Sequence, residues 1–321
     1  MTEPLITFFM IVTDRDCVIA DYAIRSYAKI RDIPFKLVVY SNWVRSDLRA
    51  CYFRRWRRYR YVEIWDDPAK TDDRKPQDRS LYGPFELCYP IWDRELKKLT
   101  QTRYHATVDA DFEIFDPLFV SVMIDRLERE PKLIAVSTDY NPHLPEYYDS
   151  YSDELISLNE RWHTHFVIYK REALKCPVSH MYHVELQAGG VARSVWDDGG
   201  YFQKALREQC GYDILVLPPS YQRSFIHYGA FVQNRHVDES NVALYRFVQI
   251  LATKGLFRRG DRVSRRIGRF LDRHLFRHAD RATFVPGWAR PAPQRYRGHP
   301  DVAAAVDHPE RSESAAARRT E

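Results

Sequence analysis

Glycine is scarce in this chain, 12 of 321 residues, and neither G-x-x-x-x-G-K-S/T nor G-x-G-x-x-G occurs in it. A glycine-rich phosphate cradle is thereby excluded, so any grip on phosphate has to come from side chains or a metal. Cysteine is sparse too. Cys17, Cys51, Cys88, Cys176 and Cys210 are scattered, odd in number and without C-x-x-C spacing. That pattern argues against a disulfide framework or a zinc ribbon and for a reducing cytoplasmic setting. Long hydrophobic runs are missing as well. The apolar stretch Leu5 to Val12 has no basic leader and is too short to span a bilayer, so it reads as a first strand. What is present is core material: 45% apolar and 14% aromatic residues, enough for one large domain or two of ordinary size.

The first half alternates strand and helix patterns. Ile6–Thr13 is a continuous apolar run, as expected of a strand buried on both faces. Apolar positions at Ala20, Ala23, Ile24, Tyr27 and Ala28 have helical spacing, and Pro34 ends that element. Strands are expected at 35–40, 61–65, from 104 to the aspartates at 109 and 111, and at 132–137, helices at 85–99 and 118–127, and a tyrosine-rich loop at 140–151. In the second half, 165–169 and 214–217 read as strands, and 198–207 as a turn entering a helix. Repeated βα units predict an α/β fold, a mostly parallel sheet with helices on both faces. Ligands of such sheets gather at the carboxyl ends of the strands, where Asp14, Asp16, Ser41, Asn42, Asp66, Asp67, Asp109 and Asp111 fall.

Asp109 and Asp111 close an apolar strand in Tyr104-His-Ala-Thr-Val-Asp-Ala-Asp-Phe-Glu-Ile-Phe-Asp116. Two carboxylates on a rigid strand end supply the hard oxygen ligands that suit Mg²⁺ or Mn²⁺. Strand alternation directs Asp109, Asp111 and Glu113 to one side, whereas Asp116, before Pro117, reads as a turn or helix cap and stays outside the site.

The N-terminal βα units, Asp109-Ala-Asp111, Trp196-Asp-Asp-Gly-Gly-Tyr-Phe-Gln203 and His227-Tyr-Gly229 occur in an order that resembles the GT-A-fold glycosyltransferases, over roughly residues 5 to 235. The resemblance implies a GT-A (Rossmann-like) catalytic domain over 1–240, a nucleoside-diphosphate-sugar donor, and transfer of a hexosyl group to a hydroxyl of a glycan, glycolipid or lipid-linked saccharide. A UDP-sugar is the expected donor. The implied metal ligands are Asp111, Asp109 (or a ribose contact for Asp109) and His227, holding Mn²⁺ or Mg²⁺. Asp198, with Asp197 as its alternate, takes the place of a catalytic base in an inverting reaction, or of a sugar-hydroxyl partner in a retaining one. Asp14, Asp66 and Asp67 stand where the nucleobase and ribose are held.

Other readings of the same residues remain open. Sugar-phosphate nucleotidyltransferases also use carboxylate-bound metal, but the loop Thr13–Cys17 lacks their glycine-rich grip. Arg94, Lys97 and Lys98 either approach phosphate or form a solvated helix face. Trp162, Trp196 and Tyr201 either stack on a sugar or pack in the core. His163 and His165, as neighbours along a strand, are expected to point opposite ways. Cys176, His180 and His183 lack a fourth ligand for zinc. Beyond residue 240 the texture changes. Val263, Ile267, Phe270 and Leu271 share a helical face among arginines, so 241–285 reads as a basic amphipathic extension suited to an anionic membrane surface. Nucleic acid is not expected, since no known module accompanies the arginines. Residues 286–321 read as a disordered tail. A cytoplasmic protein, peripheral at the inner face of the cell membrane, is the expected setting.

Overall fold

The computed structural model describes residues 3–14, 16–66, 91–149, 154–180, 183–186, 193–196 and 199–228, together with 242–244, 246, 247, 250, 251 and 266. The chain divides into two compact units, 1–246 and 247–321, and the sheet, its helices and the candidate site belong to the first. Apart from Arg266, the basic stretch 255–281 and the tail from 286 lie outside the described residues. Among the described residues no helix is long and apolar enough to cross a membrane.

In chain order the principal elements are β1 (Ile6–Val12), α1 (Cys17–Ser26), β2 (Phe35–Ser41), β3 (Val62–Asp66), β4 (Tyr104–Val108), β5 (Phe112–Ile114), α2 (Leu118–Arg129), β6 (Leu133–Ser137), β7 (Tyr140–Asn141), β8 (Leu144–Asp149), β9 (Glu154–Leu158), β10 (Arg161–Trp162), β11 (Phe166–Lys170), β12 (His183–Leu186), β13 (Arg193–Trp196), α3 (Gly200–Glu208), β14 (Asp213–Val216) and β15 (Phe225–His227). Seven strands form the main sheet in the order β14-β6-β11-β4-β1-β2-β3. All of its pairings are parallel except those of β11, which runs antiparallel to both β4 and β6. The α/β class with a mostly parallel sheet is therefore as expected.

β1 shows why the fold takes this form. All seven of its residues are buried, and they alternate between two cores. Phe8, Met10 and Val12 join residues of α1 and α2 on one face. Phe9 and Ile11 meet Trp92, Leu96 and Leu99 on the other. The sheet is thus covered by helices on both sides, and its strands read as unbroken apolar runs. Residues 91–99 of the expected helix are helical, through Trp92–Leu96 and Lys97–Leu99, and 67–90 lie outside the described residues. There Arg94 and Lys98 pair with Glu95, the solvated-face reading of that helix.

The tyrosine-rich loop expected at 140–151 is instead extended over Tyr140–Asn141 and Leu144–Asp149. The second of these strands belongs to a four-stranded sheet of order β12-β13-β9-β8. Tyrosine is a good strand former on a half-buried surface, and that preference won over the turn-like Asn-Pro at 141–142.

His105, in the middle of β4, is fully buried. Its ring stacks on Tyr169 at 5.2 Å, and neither ring nitrogen has a hydrogen-bond partner among the described residues. Burial holds its pKa down at about 3, whereas an unfolded chain protonates histidine near ~6.5. The folded state binds fewer protons between those values, so stability is lost as pH falls from about 6.5 towards 3. His105→Phe is expected to remove this sensitivity, gaining about 3 kcal/mol relative to wild type between pH 7 and pH 4. Urea melts at the two pH values measure it; a pH-independent difference contradicts the assignment.

Candidate metal centre

The site begins where β4 ends. The Asp109 N–H donates to the His165 carbonyl (2.9 Å), and the Phe112 N–H donates to the Asp109 carbonyl (3.2 Å), closing a tight turn over 109–112. The chain leaves that turn as β5, which pairs antiparallel with β15 so that Phe112 faces His227 and Glu113 faces Ile226. One residue further on, the Tyr228 N–H donates to the Asp111 carbonyl at 3.1 Å. Backbone hydrogen bonds therefore bring a residue 116 positions away in sequence onto the aspartate turn.

The result is a compact trio. His227 Nε2 lies 3.2 Å from Asp109 Oδ2 and 3.3 Å from Asp111 Oδ1, and one ligand atom from each residue falls within a 4.8 Å group. Neighbouring ligands on an octahedral ion with bonds of about 2.1 Å lie about 3 Å apart, so the spacing fits a single small divalent cation. Two carboxylate oxygens and an imidazole nitrogen match Mn²⁺ well and Mg²⁺ acceptably. Among the described residues no other group of three or more such side chains has this spacing.

The electrostatics point the same way. Burial raises the Asp111 carboxyl above its ordinary range, an effect that His227 opposes. Burial by itself would hold the His227 imidazole neutral, yet the Asp111 and Asp109 carboxylates carry its pKa up to about 10. The trio thus demands a positive charge at its centre, which a proton on His227 supplies in the absence of an ion. His227 is stacked on His165 at 4.2 Å, and His165 rests in turn against Phe112. Burial keeps His165 well below its usual pKa, so this inner ring is an uncharged backing.

Two expectations need correction. Glu113 does not share the side of the two aspartates as strand alternation predicts, because the turn at 109–112 interrupts the strand; its carboxylate is buried against Arg246 and Tyr228 instead. His163 and His165 do not point opposite ways. They precede β11 in a turn, and their rings approach to 4.9 Å. Asp116 accepts from the Leu118 N–H at 3.0 Å, in the turn that enters α2 behind its cap residue Pro117.

The remaining candidates are distributed along the sheet edge. Asp14 lies partly buried in the turn leaving β1. Asp66 closes β3 and pairs through Oδ2 with Arg49, while its Oδ1 is buried without a hydrogen-bond partner among the described residues. Three strand spacings, about 14 Å, separate β3 from β4, so Asp66 cannot share an ion with Asp111. Asp67, Asp197 and Asp198 lie outside the described residues. The cap of the helix that follows Asp198 is Gly199, at φ 73°. A Cβ there would meet Thr164 Cγ2 at 3.0 Å, so only glycine allows α3 to begin so close to the His163–His165 turn.

Trp162 is buried in the core beneath Arg207, whereas Trp196 and Tyr201 hold Lys204 between them. His180 donates its backbone N–H and lends Nδ1 to Asp93 (3.0 and 2.7 Å).

Asp16 is the residue that sequence reasoning underweighted. Its Oδ2 accepts from the Thr13 N–H and hydroxyl at 2.8 and 2.7 Å. Burial, with the Asp111 and Asp109 charges adding to it against those hydrogen bonds, raises its pKa to about 7. It therefore lies in the field of the trio. Asp139, after β6, is also raised by burial and feels the His227 charge. Position at a strand's carboxyl end was the available signal for both.

No protein-family model matches the chain, and no curated protein matches it in sequence. Solved structures with a similar course include a mannosyltransferase of Pyrobaculum calidifontis in complex with GDP-Man and Mn²⁺, at 14% identity and TM-score 0.44 over 79% of this chain and 70% of that one. Glucosyl-3-phosphoglycerate synthase of Mycobacterium tuberculosis, in complex with Mn²⁺, UDP and glucosyl-3-phosphoglycerate, aligns at 14% identity and TM-score 0.40 over 78% of each chain. The mannosyltransferase Ktr4p of S. cerevisiae aligns at 11% identity and TM-score 0.37, over 54% of this chain and 57% of its own. At these values the likeness adds nothing to the chemistry of the site, which rests on its own residues.

Proposed function

We propose that the protein is a metal-dependent glycosyltransferase of GT-A type, moving a hexosyl group from a nucleoside-diphosphate sugar, a UDP-sugar in the first instance, to an acceptor hydroxyl. The observation that carries this reading is the Asp109–Asp111–His227 trio at the carboxyl end of β4. A divalent ion held there supplies Lewis-acid stabilisation of the charge that grows on a departing diphosphate. Asp111, the more buried carboxylate, is the firmer ligand, Asp109 the second and His227 the third. Asp14, Asp66 and Asp67 are assigned to the nucleoside, since Asp14 follows β1 and Asp66 closes β3 on the same edge of the sheet, and Asp67 is next in sequence. Asp198, or Asp197, is assigned to the acceptor side, as the base that takes the hydroxyl proton if configuration inverts.

A lipid-linked saccharide is the acceptor class that unites this site with the basic stretch 255–281, which has the composition of an anionic-surface helix. That part of the proposal rests on sequence, and flotation with anionic liposomes tests it; failure to float removes the membrane. The reaction itself is tested by incubating the protein with UDP-, GDP- and TDP-sugars, Mn²⁺ and glycan or lipid-linked acceptors. Release of the nucleoside diphosphate is the expected result. Pyrophosphate formation from a nucleoside triphosphate and a sugar phosphate overturns it in favour of nucleotidyl transfer.

A further inference from the structure

Glu113 is 2% exposed, and both of its oxygens are occupied. Arg246 Nη2 donates to Oε1 at 2.6 Å, and Arg246 Nε donates to Oε2 at 2.8 Å. The Tyr228 hydroxyl donates to Oε2 at 2.6 Å. The Arg246 guanidinium also lies over the Tyr22 ring, 5.0 Å from its centre, so the group is anchored to α1. A buried ion pair of this kind is weak evidence for stability, because well-packed apolar residues often do as well; its best-attested use is to fix a register.

The register at stake is that of β5 and β15, three residues each. Tyr228 is the diagonal neighbour of Glu113 across this ribbon, since Ile226 is its direct partner. A slip by one residue would turn the opposite side chains towards the aspartates, replacing His227 with Ile226 or Tyr228. The ladder is short, and the backbone hydrogen bonds that flank it, from the Tyr228 N–H to the Asp111 carbonyl and from the Phe115 and Asp116 N–H groups to the Ser224 carbonyl, lie at its two ends. The Glu113–Tyr228 bond is compatible with one register, and Arg246 holds Glu113 ready to make it.

We propose that Arg246 is a positioning residue for the metal centre: through Glu113 and Tyr228 it locks the β5–β15 register that presents His227 to Asp109 and Asp111. The inference rests on the metal-site reading above. It goes further in predicting that a side chain far along the chain, touching none of the three ligands, sets their affinity for the ion.

The test is a Mn²⁺ titration of the full chain, followed by electron paramagnetic resonance, for wild type, D111N, R246Q, R246K, H227A and H227A/R246Q, with circular dichroism on each. R246Q is expected to weaken Mn²⁺ binding by about 10-fold, the lower end of what losing a direct outer partner of a ligand costs, because Arg246 acts one contact further out. R246K, which keeps the charge without the fork, should fall between R246Q and wild type. Because Arg246 acts through His227, H227A and H227A/R246Q should bind alike. Equal affinity of R246Q and wild type overturns the inference, as does an equal loss from R246Q in the presence and absence of His227. If R246Q does not fold, R246K decides alone, and wild-type affinity in it overturns the inference. Wild type that binds no Mn²⁺, or D111N that binds it normally, instead overturns the metal site itself.

Discussion

Asp111→Asn is expected to lower kcat/KM for sugar transfer by at least about 10²–10³-fold, the loss seen when a group stabilising transition-state charge is removed. The substitution keeps the size and shape of the side chain, so the fold should survive. It removes the more buried of the two carboxylates and, with it, the larger charge effect among those that hold a positive charge at the centre of the trio. An amide oxygen carries no net charge, so it is a weaker ligand for a hard divalent ion. Among the described residues, Asp109, the more exposed partner, is then left with His227 alone to hold the proposed ion. Steady-state kinetics across a Mn²⁺ series, alongside a thermal melt, measure the effect. Activity within a few-fold of wild type at saturating Mn²⁺ would show that Asp111 is not a ligand.

Phe112→Ala is expected to reduce stability by about 3–5 kcal/mol. The ring is fully buried, and its centroid lies 4.6 Å from Phe166, 4.7 Å from Phe225 and 5.9 Å from His165. It therefore joins three things at once: the β11 strand of the main sheet, the β15 strand that carries His227, and the imidazole that backs His227. Removing it leaves a cavity under the Asp109–Asp111–His227 trio, and rigid surroundings collapse only partly into such a space. For a domain of this size the melting temperature should fall by roughly 10 °C, and Mn²⁺ affinity should fall with it. Urea unfolding of both proteins supplies the comparison. A loss below about 1 kcal/mol would mean that the cluster is not the keystone its geometry implies.

Both variants address residues that the sequence presents side by side, yet only one of the pair was legible as functional. The strand ending in Asp109 and Asp111 could be read because a strand buried on both faces is an apolar run, and the pair at its end, common in solvated turns, gained meaning from the later motifs that follow it in order. β1, β2 and β6 were legible for the same reason. His227 could be placed with them through the order of motifs, but nothing in Phe225-Ile-His indicates the three-residue ribbon that carries it to the site. Glu113 was misplaced because alternation assumes an unbroken strand, and the turn at 109–112 breaks it. Asp14 and Asp16 lie two residues apart at one strand end, and nothing in the sequence marks Asp16 as a residue that feels the charges of the trio. The four-stranded sheet was missed because its strands are short and mixed in polarity, as in Arg193-Ser-Val-Trp196, so that neither a period of two nor an apolar run stands out. Arg246 lies beyond the last recognisable βα unit, and its pairing with Glu113 is a tertiary fact with no local signature.

The central claim is that Asp109, Asp111 and His227 hold one divalent ion that in turn holds a nucleoside diphosphate. Crystals grown with Mn²⁺ and UDP, measured at the manganese absorption edge, test it most directly. One anomalous peak is expected within about 2.2 Å of the Asp111 carboxylate and His227 Nε2, with oxygens of the diphosphate completing its shell. UDP bound with no anomalous peak at the trio, or with the manganese held by other residues, would contradict it.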